Sequence, residues 1–399
     1  MAVIAVAPPS AAGRLAALPP LSLYVHIPWC VRKCPYCDFN SHEVRGEGAT
    51  APEADYVAAL IDDLDQSLPQ IWGRRVYSIF FGGGTPSLFS GASIDALLSA
   101  FRARLSLAAD CEVTLEANPG TVEADRFRDF RAAGVNRLSL GIQSFNPRHL
   151  KALGRIHDDT EARRAIELAQ KNFGRVNLDL MYALPRQTVD EALADVNEAL
   201  STGVTHLSFY HLTIEPNTLF HRHPPAIPDA DAAAGISDAV ESALVGAGHE
   251  HYETSAFARP GARCRHNVNY WQFGDYLGIG AGAHSKISFP DRILRQTRAR
   301  TPAEYLRRVA SRTAVVEERE LGRADRVFEF MMNALRLNHG FAPSLFAERT
   351  GLSIGAAERG LAEAEARGLI ARSHDRIVPT VHGRHFLNDL LQIFLDDDS

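Results

Sequence analysis

From Leu21 to about Phe220 the chain alternates short apolar runs, rich in β-branched and aromatic residues, with amphipathic stretches of helical period. That pattern predicts a parallel sheet built from βα units. Six runs read as strands, at 23–28, 76–81, 112–117, 137–142, 176–181 and 206–211. Their largely apolar character suits strands buried on both faces. Between them, Pro52 opens a helix whose Tyr56, Leu60, Ile61, Leu64 and Leu68 share one face. Thr188 and Glu191 stand at capping-box spacing ahead of Leu193, Val196 and Leu200, and Gly134 closes another helix. Six consecutive units predict a partial or complete TIM-like α/β barrel, whose chemistry collects at the C-terminal ends of the strands.

From about Leu321 the period changes. ADRVFEFMMNALRL, APSLFAERTG and GAAERGLAEAEARGLI read as short helices, RIVPTVHG as a pair of strands, and a last apolar helix follows. Together they predict a winged-helix-like α+β domain. The expected division is a disordered tail at 1–20, a barrel at 21–225, a barrel extension and connecting segment at 226–320, and the winged-helix-like domain at 321–399. A chain of 399 residues suits two cores, because single cores rarely grow beyond about 250 to 300 residues.

Charge narrows the partners. A formal net charge of -6 gives no general attraction to nucleic acid or an anionic membrane. Residues 321–399 carry 9 Arg and no Lys against 11 Asp plus Glu, a net of -2, so this domain lacks the basic footprint of DNA binding. It is expected to pack on the barrel or to meet a protein. No window approaches the roughly 18 uninterrupted apolar residues of a spanning helix, so no integral membrane segment is expected. The apolar run in the first twenty residues lacks a basic leader and is broken by prolines. Five cysteines, three of them clustered, point to a reducing compartment, the cytoplasm, rather than to a disulfide scaffold.

Those three cysteines open the candidate chemistry. Cys30, Cys34 and Cys37 stand as C-x3-C-x2-C in LSLYVHIPWCVRKCPYCDFNSH, directly after the first strand, with no fourth cysteine beside them. An iron-sulfur cube normally takes four thiolates and structural zinc four closed ligands, so three suggest a cluster with one open iron. The alternative is a zinc site completed by His26, His42 or Asp38. Arg32 and Lys33 lie between the cysteines, where cations favour thiolates. Each later strand is also followed by groups suited to a ligand. They are the turn from Gly82 to Pro86 after the second, Glu116 and Asn118 after the third, and Gln143 after the fourth. Asp179 and Tyr182 come with the fifth, and Tyr210 and His211 with the sixth.

The cysteine spacing and the GGGTP turn resemble the radical S-adenosylmethionine (SAM) superfamily. That resemblance implies a radical SAM barrel whose 4Fe-4S cluster chelates SAM through its open iron. YVHIPWCVRKCPYCDFNSH, FFGGGTPS, RLSLGIQSFN, DLMYALPRQT and HNVNYWQFGDYLGIGAGAHS together resemble the oxygen-independent coproporphyrinogen III oxidase family, over nearly the whole chain from Leu21. Within it the likeness is to the haem chaperone branch. The oxidases carry a further cysteine two residues after the third ligand, where this chain has Phe39, and a longer N-terminal extension.

The resemblance implies Cys30, Cys34 and Cys37 as cluster ligands, with Tyr24 and Tyr36 close by. It places Gly83, Gly84 and Thr85 at the methionine end of SAM, and Glu116, Gln143, Arg155 and Asp179 on its ribose and carboxylate. Glu116 and Arg155 are alternatively an ion pair of their own, and Gln143 a strand cap. His266, Asn267, Tyr270 and Trp271 form the HN-x2-YW arrangement that the branch associates with haem, His266 being the axial ligand and Cys264 an alternative one. His266 is otherwise a structural histidine in a segment that closes the barrel. The implied partners are haem, a haem-acceptor protein and a one-electron donor. Two functions stand open at this point: a haem chaperone, and an oxidase that cleaves SAM to a radical.

Overall fold

The computed structural model describes residues 13–44, 51–121 and 124–395. Six parallel strands run in chain order: β1 (Leu21–Ile27), β2 (Arg75–Gly83), β3 (Ser106–Ala117), β4 (Arg137–Gln143), β5 (Val176–Tyr182) and β6 (His206–His211). Each expected strand is found: β6 has the expected bounds, β2 to β5 are extended by a residue or several, and β1 starts two residues earlier and ends one earlier. The sheet continues beyond both edges. After β6 it adds the antiparallel strand β8 (Ala256–Ala258) and then β7 (Glu250–Glu253). Beside β1 it adds the parallel β9 (Asp275–Ile279), then the antiparallel β10 (His284–Ser288), β11 (Ile293–Arg298) and β12 (Val315–Glu320). The order is β12-β11-β10-β9-β1-β2-β3-β4-β5-β6-β8-β7, and its two end strands do not pair with each other among the described residues, so this is a partial (βα)6 barrel.

Alternation along the strands divides the barrel into two chemical layers. Leu23, Val25, Ile79, Phe81, Leu115, Leu140, Leu178 and Leu207 join one core with Leu60, Leu64, Leu97, Phe127, Ile166 and Val196 of the surrounding helices. The inner face is polar, which departs from the apolar reading of both faces. Ser22 and Ser78 hydroxyls lie 2.8 Å apart, Asn177 donates to Ser139 at 2.7 Å, and His206 Nδ1 lies 2.6 Å from Asn177 Oδ1. Apart from the stacked rings of Tyr24, Phe80 and His266, this interior is lined by polar groups that satisfy one another.

The helix Glu53–Ile71 buries Tyr56, Leu60 and Leu64 as its period predicts, and also Asp63 and Ser67. Those two hold the buried Arg298 of β11, whose Nε lies 3.0 Å from Asp63 Oδ2 and whose Nη2 donates to Ser67 at 2.9 Å. The Thr188–Glu191 capping box forms, and a second, Asp158–Glu161, starts the helix Asp159–Asn172.

The last 75 or so described residues have their own core around Phe330, Phe341, Phe346, Leu361, Ile377 and Leu390. Three helices, Arg323–Ala334, Pro343–Thr350 and Glu358–Ala366, precede the antiparallel hairpin of β13 (Ile370–Arg372) and β14 (Ile377–Pro379). That is the winged-helix-like arrangement. Phe273 and Ile293 of the barrel extension enter the same core.

Residues 13–20 correct the expectation of a disordered tail, while 1–12 lie outside the described residues. Leu15 is buried in the C-terminal core, its amide donates to Pro290 O at 2.9 Å, and Asp275 N–H donates to Pro20 O at 2.9 Å. This stretch straps the C-terminal unit to the start of β1, and a single leucine gives it the apolar anchor that its low local periodicity concealed. Among the described residues no helix is long and apolar enough to cross a membrane.

Candidate functional site

A cavity of about 370 Å³ opens at the C-terminal ends of β1 to β6. Cys30, Cys34, Cys37, Tyr36, Gly83, Gly84, Thr85, Glu116, Gln143, Arg155 and Asp179 all line it. Residues separated by up to 149 positions in sequence thus meet on one surface, as the strand-end rule requires.

Each sulfur of the cysteine loop meets a hydrogen-bonding group. Thr85 Oγ1 donates to Cys30 Sγ at 3.5 Å, Arg155 Nη1 to Cys34 Sγ at 3.6 Å, and Ser41 Oγ lies 3.7 Å from Cys37 Sγ. Burial pushes the Cys30 and Cys37 thiols up, against the pull of those hydroxyls. Lys33 adds a smaller downward pull on Cys37, and its ammonium mainly ties the loop by donating to Phe39 O at 3.0 Å and Ser41 O at 3.3 Å. Sulfurs met by two hydroxyls and one guanidinium fit an anionic iron-sulfur group, whose own charge takes over the task of holding the thiolates.

The zinc alternative fares less well. His26 has both nitrogens engaged, Nδ1 at 3.0 Å from Tyr24 Oη and Nε2 at 2.9 Å from Asn40 O. His42 Nε2 lies 3.3 Å from Asn40 Oδ1. Among the described residues no three Cys, His, Asp or Glu side chains form a group that could hold a single metal ion.

The glycine turn is demanded by the protein's own packing. Gly83 has φ +117°, and a Cβ there would sit 2.6 Å from the His26 ring; one on Gly84 would sit 2.5 Å from Trp29 O. The turn can therefore approach the cysteine loop only as glycine. Gln143 has φ +69° where the β4–β5 register shifts, a strained position that turns this amide toward the cavity instead of continuing the strand.

Two carboxyls face the same space. Burial, helped by the charge of Asp179, lifts Glu116 to about 8, against a hydrogen bond from Gly83 N–H. Glu116 is thus protonated at neutral pH. Burial also raises Asp179, opposed by Ser139 Oγ at 2.6 Å and Asn177 Nδ2 at 2.9 Å. The alternative of a Glu116–Arg155 ion pair is not what the geometry shows: Arg155 Nη2 donates to Asn118 Oδ1 at 2.6 Å and to Gly141 O at 2.7 Å.

Four predicted residues lie elsewhere. Tyr24 packs below the cavity against Phe80 and His266. His266 is 3% exposed, stacked on Phe80 at 4.8 Å, edge-on to Tyr270 at 4.9 Å and 3.3 Å from Ser78 Oγ; burial lowers it to about 3. Tyr270 meets Tyr276 at 4.3 Å, and Trp271 lies under the Arg336 guanidinium at 4.6 Å. The helix Arg265–Trp271 carries all three across the end of the barrel opposite the cysteines, where Arg265 N–H donates to Glu112 at 2.8 Å. In this arrangement the His266 imidazole is closed off from a macrocycle by its burial. Cys264 beside it is a buried thiol pushed up to about 12, held 3.7 Å from Glu112.

The sequence pattern marks no role for Ser41 or Ser139 and none beyond polarity for Asn118. Asn118 was findable from its place at the end of β3; the serines carried no local signal.

An incomplete six-unit barrel with three cysteines after β1 and a glycine turn after β2 defines a radical SAM protein, and residues 24–199 match the Radical SAM superfamily model, with 321–386 matching the HemN C-terminal domain. Membership implies a 4Fe-4S cluster and SAM. The chain is 51% identical to "Heme chaperone HemW" of Escherichia coli over 95% of its own length and 99% of that protein, and 36% identical to the protein of that name from Mycobacterium tuberculosis over 94% and 95%. The chain belongs to the HemW family. Its fold matches the coproporphyrinogen III oxidase HemN from Escherichia coli with a TM-score of 0.80 at 24% identity, covering 94% of this chain and 90% of that one.

Proposed function

We propose that this chain is a haem chaperone that holds a 4Fe-4S cluster on Cys30, Cys34 and Cys37, takes SAM into the adjoining cavity and passes haem to an acceptor protein. The observation that carries the site is the meeting of three hydrogen-bonded thiols with Glu116, Gln143, Arg155 and Asp179 around one 370 Å³ space. Cys30, Cys34 and Cys37 would hold the cluster with one iron free of protein ligands, and the cluster would supply one-electron chemistry to SAM bound in this cavity. The chain's own part is to hold that ligand. Gly83 and Gly84 admit its methionine end, Arg155 suits a carboxylate, and Glu116 and Asp179 suit an amino group or ribose hydroxyls.

The haem part rests on the relatives' names and on Phe39, which stands 64% exposed at the cavity mouth where an oxidase has cysteine. His266, Tyr270 and Trp271 are the assigned haem residues, and the burial of His266 requires the helix Arg265–Trp271 to move before iron can reach the imidazole. A cytoplasmic location, a one-electron donor and the division of the chain after residue 20 into barrel, extension and winged-helix-like domain go with this function.

Anaerobically reconstituted protein should bind haem and leave coproporphyrinogen III unchanged; its conversion would sink the chaperone assignment. His266→Ala should weaken haem binding at least tenfold and change its absorption spectrum. Unchanged affinity and spectrum would remove His266 from the site.

A further inference from the structure

We infer that Asn118 is a positioning residue that fixes the direction of a hydrogen-bond relay ending on two of the three cysteine sulfurs. This rests on the cluster reading above. Chemistry assigns the Asn118 amide. A guanidinium only donates, so the atom 2.6 Å from Arg155 Nη2 is the amide oxygen, and the one 2.9 Å from Thr85 Oγ1 is the NH2. A hydroxyl that accepts from that NH2 cannot return its proton to it. The one proton of Thr85, a residue 2% exposed, is thereby directed to Cys30 Sγ, 3.5 Å away. At its other end the same amide anchors Arg155, whose Nη1 points at Cys34 Sγ at 3.6 Å.

The surroundings leave the amide little freedom. Gly141 O takes a second bond from Arg155 Nη2 at 2.7 Å, and a Cβ on Gly141 would lie 2.8 Å from Asn118 Oδ1. Aspartate at 118 has the same shape and keeps the acceptor for Arg155, yet it has no proton to give. Thr85 would then donate to the carboxylate, and Cys30 would lose its donor. Donors on cluster sulfurs favour the more negative, reduced state, so losing one lowers the reduction potential.

The test is an EPR-monitored redox titration of the reconstituted full-length protein and its variants. Thr85→Val should lower the midpoint potential and Thr85→Ser should leave it near wild type. Asn118→Asp should lower it too, and adding Thr85→Val to Asn118→Asp should cause no further shift. Independent, additive shifts would overturn the relay, as would a Thr85→Val potential equal to wild type. Should Asn118→Asp not fold, Asn118→Leu serves: without the directing amide, Thr85→Val should shift the potential less than it does in wild type, and an undiminished shift would overturn the proposal. A wild-type protein that takes up no 4Fe-4S cluster would overturn the cluster reading itself and the relay with it.

Discussion

Asp179 on β5 faces Glu116 on β3 across the cavity wall, and its charge adds to the burial that lifts Glu116 to about 8. The proton this places on Glu116 has a thermodynamic signature. Below the ordinary carboxyl range of about 4.5 both folded and unfolded chains hold it; between there and about 8 only the folded chain does. Raising the pH through that window should therefore destabilise wild type relative to Glu116→Gln, by at most about 1.4 kcal/mol per pH unit. Urea unfolding of both proteins at pH 5.5, 6.5 and 7.5 measures the difference, and parallel profiles would contradict a protonated Glu116.

Ligand binding should release that proton. A cationic amino group docking beside Glu116 favours the carboxylate, so SAM binding near pH 6.5 should free up to one proton per site. Calorimetry in buffers of different ionisation enthalpy reads it directly. Glu116→Gln should abolish the buffer dependence, and an unchanged dependence in that variant would assign the proton elsewhere.

Loss of any one cysteine should be severe. Cys30→Ala, Cys34→Ala or Cys37→Ala leaves two ligands, and iron after anaerobic reconstitution should fall from about four per chain to near zero, with loss of the broad absorption of the cluster. Cys111→Ala and Cys264→Ala should retain it, because both thiols lie outside the cavity lining.

Far from the site, Asp63 binds Arg298, Tyr305 Oη at 2.8 Å and Gly280 N–H at 3.3 Å, all buried. Asp63→Ala strands a buried guanidinium and should cost about 3–5 kcal/mol in denaturant unfolding. A loss below about 1 kcal/mol would mean that water reaches Arg298.

The sequence by itself determined the barrel strands, the Thr188–Glu191 cap, the three-cysteine loop and the polar strand ends, because period-2 and period-3.6 patterns and a four-residue cap are local facts. Residues that follow parallel strands must also share one end of a sheet, which is why Glu116, Gln143 and Asp179 could be read as one site, whereas Arg155 joined them only through the family resemblance. Tertiary structure alone decided the rest. Whether a strand's second face is packed with apolar side chains or satisfied by Ser, Asn and His depends on partners across the barrel, as Ser139, Asn177 and His206 show. Leu15 reads as part of a tail until the C-terminal core gives it a place. His266 reads as a ligand in the sequence, and only the fold sets it among Phe80, Tyr24 and Tyr270 at the far end of the barrel. Asn118 acquires its direction only when Arg155, 37 positions away, takes its oxygen. A hydrogen bond's sense, like a side chain's burial, is set by what stands opposite, and folding brings that neighbour from elsewhere in the chain.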